Sequence, residues 1–183
     1  MPILHRRETV MNPFWSNIFR TSGYEDSLAY FLSGIPIFTS LKKKDLGFLE
    51  SMVHVRNYEA GENVFHEGDV GSGMYCIRSG QVLIYIQDDE GREIEQALLG
   101  PGDFFGEVAL TEQKPRIASA RALEPTVLIG LFRADMLEAV HKYPATAARI
   151  LLGLTRCISA RLQYASLQLQ QQGGNSYPPA TEH

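Results

Sequence analysis

The sequence lacks the features of a metalloprotein, a disulfide-stapled protein or a membrane protein. Its two cysteines, Cys76 and Cys157, are too few and too far apart for a disulfide framework or a metal cluster. His54, His66 and His141 share no metal-ligand spacing. No apolar run approaches the roughly 20 residues of a membrane span, and the N-terminal segment lacks the apolar core of a secretion signal. We therefore expect a cytoplasmic protein with no bound metal, and we expect Cys76, inside an apolar run, to be a core residue.

The chain also lacks a strong charge of either sign. Its 17 basic and 21 acidic residues give a formal net charge of −4, which offers no bulk attraction for nucleic acid. Hydrophobic residues make up 44% of the 183 residues and charged residues 21%, as in a globular protein. No arrangement of Ser, His, Asp or Cys that would activate a nucleophile or a water is compelling, so we do not expect an enzyme.

Short apolar runs broken by glycine fill the middle of the chain. From Val53 to Phe132 these runs are separated by turn residues about every eight to twelve positions, which predicts a β-sandwich or roll. In the run QVLIYIQ, apolar residues occupy both alternating sets of positions, so we expect this strand to be buried on both faces. Asp89, Glu90 and Gly91 predict a hairpin tip.

Helical patterns flank this region. The pair Asp26-Ser27 is predicted to cap a short first helix that runs through Leu32, and Ser40 is predicted to cap a second helix over residues 41–52. After the last strand, one helix is predicted over residues 134–142. Pro144 is well placed to open another, because proline suits the first turn of a helix.

The last predicted helix, residues 144–170, is long. At 1.5 Å per residue it would extend about 40 Å. Its apolar residues recur every three or four positions, close to a heptad seam, namely Ile150, Leu154, Ile158, Leu162, Ala165 and Leu169. Such a seam could pack on the chain's own roll. Because the helix is longer than a compact domain, we instead predict a parallel homodimer with this helix at its centre.

The two ends of the chain lie outside the predicted domain. We divide the chain into a partly ordered N-terminal arm (1–25), a β-roll with flanking short helices (26–143), the long dimerisation helix (144–170) and a polar tail expected to be disordered (171–183). In the arm, Phe14, Trp15, Ile18 and Phe19 have helical spacing. Because exposed Trp and Phe side chains are costly, we expect the arm to dock somewhere, and the sequence does not say on what.

One stretch, residues 102–122 with the sequence GDFFGEVALTEQKPRIASARA, carries the chemistry of a binding site. Glycines and a helix-like turn expose backbone N–H groups, which bind anions. Arg116 adds a planar fork of donors suited to phosphate oxygens, and Glu107 can accept from a hydroxyl or an amide. The same residues also fit a buried structural Glu–Arg pair, and their spacing alone does not decide between the two.

FGEVAL followed by PRIASARA resembles the phosphate-binding cassette of the cyclic nucleotide-binding domain family. The segment AGENVFHEGDVGSGMYCIRSGQVLIY is similar to the same family's glycine-punctuated signature, and the resemblance covers roughly residues 28–170. It implies a mainly β fold, an antiparallel jelly roll (double-stranded β-helix) with N-terminal helices and a long C-terminal helix. It places Gly61, Gly68, Gly80 and Gly102 at turns of the roll, where glycine suits a positive φ.

The resemblance implies a role for each cassette residue. Glu107 would accept a hydrogen bond from the ribose 2′-hydroxyl, with the backbone N–H of Gly106 close by. Arg116 would pair with the cyclic phosphate. Backbone N–H groups near Ala109 and Ala118 would complete the phosphate cradle.

Further site residues are predicted around these donors. Val108 lies in the apolar turn of the cassette, and Val82, Leu83 and Leu99 are expected to line the apolar wall near the base. Ile117 follows the arginine at a position where the family usually has a small residue. Because Ile117 has no hydroxyl to hydrogen-bond the guanine amino group, and its bulk disfavours an extra substituent, the sequence favours cAMP over cGMP.

The long helix resembles that of the bacterial catabolite-activator-like (Crp/Fnr-type) regulators. The match at ARLQYAS implies that Arg161 and, from a second copy of the chain, Ser166 would approach the nucleotide. Ala165 stands where those proteins carry a threonine, so one base contact is expected to be missing. The tail after this helix is too short for the helix-turn-helix module of those regulators, and we expect no DNA-binding domain.

Together these features predict a cAMP-binding regulatory domain that needs no cofactor, acts on a separate, unknown effector protein and signals through its C-terminal helices. Two alternatives stay open. The roll could serve only as a dimerisation or protein-interaction module with a degenerate pocket, or it could bind a different small molecule. An intact Glu107 and Arg116 argue against a disused pocket.

Overall fold

Two antiparallel β-sheets form the centre of the chain. A computed structural model describes residues 27–173. The strands are β1 (His54–Tyr58), β2 (Asn63–Phe65), β3 (Gly73–Ser79), β4 (Val82–Gln87), β5 (Glu93–Leu99), β6 (Phe104–Phe105), β7 (Ser119–Ala122) and β8 (Thr126–Phe132). One sheet has the strand order β1-β8-β3-β6 and the other β2-β7-β4-β5. This arrangement confirms the predicted antiparallel jelly roll with flanking helices.

Five α-helices accompany the sheets within residues 27–173. They are α1 (Leu28–Ser33), α2 (Lys43–Met52), α3 (Val108–Thr111), α4 (Arg133–Lys142) and α5 (Pro144–Gly173), and a short 3₁₀ turn covers Pro36–Phe38. The Ser27 hydroxyl caps α1 as predicted, accepting from the N–H of Tyr30 at 3.1 Å. None of these helices combines the length and the apolar character needed to cross a bilayer.

α2 begins two residues later than predicted. The expected cap, Ser40, does not hold the first turn. The Asp45 carboxylate does so instead, accepting from the N–H of Lys42 at 3.0 Å. The start of this helix is therefore decided by an acidic residue in its own first turn.

Strands β3, β6 and β8 of the first sheet are buried on both faces, because their side chains alternate between two hydrophobic clusters, whereas the edge strand β1 is largely exposed. In β3, Tyr75 and Ile77 face the second sheet, whereas Met74 and Cys76 face the helices. We call the space between the sheets the roll interior; its buried residues are Tyr75, Ile77, Val82, Phe105, Ala120 and Leu128. The Cys76 thiol is buried as predicted, and this burial raises its pKa to about 12.

The two faces of β4 are covered in different ways. Val82 is fully buried in the roll interior, and Tyr85 is buried on the opposite face. There the Arg121 guanidinium carbon lies 4.7 Å from the Tyr85 ring centroid, and both terminal nitrogens donate to the Glu93 carboxylate at 2.7 and 2.6 Å. The expected burial on both faces is thus confirmed for these two residues, while Ile86 is half-buried.

Glycines make the predicted turns of the roll. Gly61, Gly68, Gly80 and Gly102 all have φ between 84° and 91°. At Gly80 a Cβ would also overlap the side chain of Thr126, so this turn requires glycine for space as well as for φ. The predicted hairpin tip between β4 and β5 is confirmed, with φ of 77° at Gly91.

The apolar seam of α5 packs on the roll only in the first half of the helix. Ile150 and Leu154 are 0% and 2% exposed. They belong to the hydrophobic cluster between the first sheet and the helices, which we call the helix-side cluster and which also contains Met74, Cys76 and Leu131. These two seam residues therefore pack on the chain's own roll and not on a second copy. From Ile158 onward the seam is exposed, so the second half of α5 extends past the packed core.

The described residues include the start of the predicted C-terminal tail but none of the predicted N-terminal arm. The arm, residues 1–25, lies outside the described residues. α5 continues to Gly173 rather than ending near Gln170, so the first three residues assigned to a disordered tail are helical. The rest of the tail, residues 174–183, also lies outside the described residues.

A buried carboxylate joins α2 to α5. Asp45 is 2% exposed and accepts from Thr146 Oγ1 at 2.6 Å and from Arg149 Nη1 at 3.1 and 3.0 Å. The Thr146 hydrogen bond is the largest influence that lowers the pKa of Asp45. The Lys42 N–H and the Arg149 charge lower it further, and desolvation opposes them. Charge-assisted bonds therefore fix the start of α5 to the N-terminal helices.

These contacts predict a pH-dependent contribution of Asp45 to stability. Because the folded pKa lies below the ordinary value of 3.8, the carboxylate stabilises the fold fully above that pH, and the contribution is lost as the pH falls through the folded pKa. Asp45→Asn should lower the free energy of unfolding by about 2 kcal/mol near neutral pH. Its difference from the parent should shrink at about pH 3.

Urea unfolding at the two pH values measures this contribution. The control is Glu138→Gln, which alters an exposed carboxylate paired with Lys142 at 2.6 Å and should leave stability unchanged. An Asp45→Asn cost that is the same at both pH values would contradict the charged role of Asp45.

Candidate ligand-binding site

The predicted cassette begins where β6 ends. β6 pairs with β3, and the Phe105 ring lies 5.6 Å from the Tyr75 ring between centroids, inside the roll. At Gly106 the chain turns with φ of 75°, and α3 starts two residues later. A Cβ at Gly106 would lie 2.6 Å from Arg116 Nη1. Glycine at this turn therefore gives the guanidinium its space.

Backbone carbonyls, rather than a carboxylate, hold the Arg116 guanidinium. Its Nη1 donates to the Gly106 carbonyl at 3.1 Å and its Nη2 to the Gly73 carbonyl at 2.7 Å. The guanidinium carbon lies 4.0 Å from the Phe65 ring centroid. Within residues 27–173, no Asp or Glu forms an ion pair with Arg116. The side chain is half-buried, and this desolvation lowers the pKa of Arg116.

The loop before β3 fixes the backbone of Arg116. The Arg116 N–H donates to the Asp69 carbonyl at 2.8 Å, and the Gly68 N–H donates to the Arg116 carbonyl at 2.8 Å. A Cβ at Gly71 would lie 2.8 Å from the Cβ of Ala109. The loop, α3 and the arginine therefore form one closely packed unit.

Glu107 contacts α5 instead of Arg116. Its side chain is 13% exposed, and its carboxylate accepts from Arg161 Nη1. Arg161 Nη2 also donates to the Phe104 carbonyl at 3.0 Å, and its guanidinium carbon lies 4.2 Å from the Phe104 ring centroid. The structural pair of Glu107 with Arg116, which the sequence left open, is not formed. Glu107 is tied to the long helix and Arg116 to the roll.

The other cassette residues differ in exposure. Ala109 is buried, and its N–H donates to the Gly106 carbonyl at 3.2 Å. The N–H group expected near the phosphate is therefore engaged within the first turn of α3. Ala118 is half-buried, whereas the side chains of Val108 and Ile117 are 54% and 86% exposed.

The sheet register separates the residues predicted for the apolar wall. Val82 pairs with Leu99, and both belong to the roll interior. Leu83 pairs with Arg121 and faces the other side of the sheet, because neighbouring residues of a strand point in opposite directions. The structure brings Val82 and Leu99 together and leaves Leu83 on the outer face.

Sequence reasoning missed Phe65 and Ile84. Both pack against the roll interior, and Phe65 lies against the Arg116 guanidinium. The alternation of β4 could have placed Ile84 beside Val82, two positions away on the same face. Phe65 had no such local signal, because it enters the site only through the pairing of β2 with β7.

α5 brings Arg161 to the cassette but leaves Ser166 in solvent. Ser166 and Ala165 are both exposed, and the last α5 residues in the helix-side cluster are Leu154 and Cys157. In the part of the chain that the structure describes, no three His, Cys, Asp or Glu side chains come together as possible metal ligands.

The site thus combines the half-buried Arg116 guanidinium with the Glu107 carboxylate, which is held separately by Arg161. Residues 55–143 of this chain match the family model "Cyclic nucleotide-binding domain". These residues form a domain of the cyclic nucleotide-binding family. The chain is 36% identical over 138 residues to the cyclic AMP receptor protein of Thermus thermophilus, which covers 75% of this chain and 62% of that protein.

Solved structures agree with this assignment. The crystal structure of the Thermus thermophilus catabolite activator protein has a TM-score of 0.67 at 34% identity, covering 75% of this chain and 63% of that one. The N-terminal domain of a transcriptional regulator from Streptomyces coelicolor has a TM-score of 0.67 at 27% identity, covering 74% of this chain and 94% of that domain. The chain thus spans less than two thirds of the Thermus proteins and nearly all of the isolated N-terminal domain.

Two glycines with nearly the same backbone test the packing of Arg116. Gly106 and Gly91 have φ of 75° and 77°, but a Cβ at Gly91 would meet nothing within 4 Å. Alanine at either position should cost about 1 kcal/mol through the backbone alone. Gly106→Ala should cost about 1 to 2 kcal/mol more, because Arg116 must leave its carbonyl partners. Urea unfolding of both variants measures the difference, and equal losses would show that the guanidinium does not depend on Gly106.

Proposed function

We propose that this domain binds a cyclic nucleotide, preferentially cAMP, and acts as a regulator without catalysis of its own. The observation that carries the proposal is the half-buried Arg116 guanidinium, which has two carbonyl partners and no carboxylate within residues 27–173. A partly desolvated cation is stabilised strongly by an anion with several acceptor oxygens, and a cyclic phosphate is such an anion. Family membership and the similarity to a cyclic AMP receptor protein support this ligand.

In this proposal the phosphate lies at Arg116 and the ribose 2′-hydroxyl at Glu107. A carboxylate accepts about four hydrogen bonds, so Glu107 can hold Arg161 and a hydroxyl at the same time. N–H groups of the turn at Gly106 and near Ala118 extend the phosphate cradle.

The base would lie against apolar side chains of the roll interior. Leu99, Ile84 and Phe65 are partly exposed there, whereas Val82 is completely buried behind them. Partly exposed apolar side chains gain from being covered by a flat base. We therefore assign the wall to these three residues, with Val82 as its support.

Arg161 would couple the ligand to α5. It reaches both Glu107 and the Phe104 carbonyl, so a hydroxyl that arrives at Glu107 changes the contact that holds this part of the helix. A ligand that favours one arrangement of Arg161 over another shifts their populations. We expect this shift to move the C-terminal helices and to be read by a separate effector protein.

Ile117 and Ala165 set the expected preference for adenine. The Ile117 side chain is 86% exposed beside the phosphate site and offers no hydroxyl to the guanine amino group. Ala165 likewise offers no hydroxyl from the long helix. With both positions aliphatic, a ligand gains little from a guanine amino group, and cAMP is preferred.

The exposed half of α5 supports a homodimer. Ile158, Leu162 and Leu169 are 41%, 66% and 70% exposed, and together with Ala165 they lie on one face of the helix. A row of exposed apolar side chains is unfavourable in water, and a parallel copy of the helix would cover it. In such a dimer, Ser166 of each copy would approach the site of the other.

A second candidate function is a dimerisation module with a degenerate pocket. The exposed face of α5 favours this candidate equally well. A dimerisation module does not account for an Arg116 charge that has no carboxylate partner within residues 27–173, and we therefore rank ligand binding first. A cytoplasmic location is part of our proposal and rests on the sequence composition.

Isothermal titration with cAMP and cGMP tests the ligand. We expect saturable binding of cAMP and weaker binding of cGMP. Arg116→Gln should weaken cAMP binding about 100-fold, since the loss of a charge-assisted contact costs up to about 3 kcal/mol. The control is Arg121→Gln, which removes an arginine bound to Glu93 on the outer face and should change the affinity by less than about twofold.

The titration has two contrary outcomes. No heat with either nucleotide at about millimolar concentration would eliminate the ligand and leave the dimerisation module. Tight cAMP binding that survives Arg116→Gln would place the phosphate away from the cassette.

Native mass spectrometry tests the dimer and any retained nucleotide together. Leu162→Glu should raise the dimer dissociation constant by at least about 100-fold, because each copy would place a charge in an apolar seam. The matched control is Leu167→Glu. Leu167 is 57% exposed but lies about 140° around the helix from Leu162, so its substitution should leave the dimer intact. A monomeric parent, or equal effects of both variants, would contradict this interface.

A further inference from the structure

A groove separates α1 from the turn between β5 and β6. We call it the α1 groove; its lining includes Tyr30, Phe31 and Ile35 from the helical side and Arg78, Pro101 and Gly102 from the sheet side. Its volume is about 400 Å³. Tyr30 remains 46% exposed, so an aromatic surface faces this space. The groove is separate from the cassette residues assigned to the ligand.

We infer that the α1 groove is a docking site for the N-terminal segment of the same chain, residues 14–19 (FWSNIF). Phe14, Trp15, Ile18 and Phe19 recur with the spacing of one helix face. A short aromatic face of this kind matches the aromatic and aliphatic lining of the groove. Covering both surfaces removes apolar area from water, which favours their association.

The position of the tether favours docking on the same molecule. The described chain starts at Ser27, the cap of α1, so the segment joins the domain next to the groove. Residues 20–26 separate it from Ser27 and can span about 25 Å when extended. α1 has six residues and is about 9 Å long. The tether therefore reaches the whole groove, and covalent attachment keeps the segment at a high effective concentration there.

The charges of the groove and of the tether are opposite in sign. Among the described residues that line the groove, Arg78 is charged. The tether carries Glu25 and Asp26 directly before the cap of α1. Acidic residues beside a basic wall orient the segment along the groove rather than away from it. The apolar face of the segment then provides the contact area, and the charges determine the orientation of the segment in the groove.

Trp15 reports directly on this docking, because it is the only tryptophan of the chain. In the full chain we expect blue-shifted Trp15 emission and a collisional quenching constant with acrylamide several-fold below that of N-acetyltryptophanamide. Tyr30→Asp should raise the quenching constant several-fold and shift the emission to the red, because it places a charge in the apolar groove. Arg78→Glu should raise it as well, since it repels Glu25 and Asp26. The control is Tyr164→Asp, at a tyrosine on α5 that is 66% exposed, and it should leave Trp15 unchanged.

The same measurement separates the alternatives. Trp15 quenched as freely as N-acetyltryptophanamide in the parent, or no response to either groove variant, would overturn the inference. Protection that is retained in the Leu162→Glu variant, at concentrations where that variant is monomeric, would support docking within one chain. Protection that is lost there would show that the segment docks on a second copy and would overturn the intramolecular site.

Discussion

The half-buried charge of Arg116, which forms no ion pair within residues 27–173, is the constraint on which the cassette depends. Its guanidinium lies between two backbone carbonyls and against the Phe65 ring, at 3.1, 2.7 and 4.0 Å. Side chains at Gly71 or Gly106 would crowd it, because a Cβ at either would lie 3.4 Å or less from the guanidinium. Gly71 and Gly106 are therefore needed for the packing of Arg116 as well as for the turns of the chain. In the proposed function, the phosphate of the ligand, rather than a carboxylate of the protein, would compensate this partly desolvated cation.

α5 links the parts of the molecule that the roll keeps apart. Its first turns are anchored to α2 through Asp45, its middle touches the cassette through Arg161, and its second half presents apolar residues to solvent. One rigid helix therefore shares contacts with the N-terminal helices, the binding site and the proposed interface. In the proposed function, a ligand at Glu107 would therefore affect the interface through Arg161 and this one helix.

Much of this arrangement was predictable from local patterns. Alternating apolar runs and glycines at turns indicated the jelly roll, and the FGEVAL and PRIASARA segments indicated the cassette. Other features were not predictable. Ser40 looked like the cap of α2, yet the Asp45 carboxylate took that role because it lies in the first turn of the helix. Leu83 looked like part of the apolar wall, but the pairing of β4 with β7 turns it to the outer face.

The sequence by itself determined the elements, the turns and the chemical character of the cassette, because these depend on residues close together in the chain. Only the tertiary structure decided which groups meet. Arg116 finds a carbonyl 43 positions away, and Glu107 finds an arginine 54 positions away. Sheet pairing and helix packing determine these partners, because they bring together groups that lie far apart in the chain.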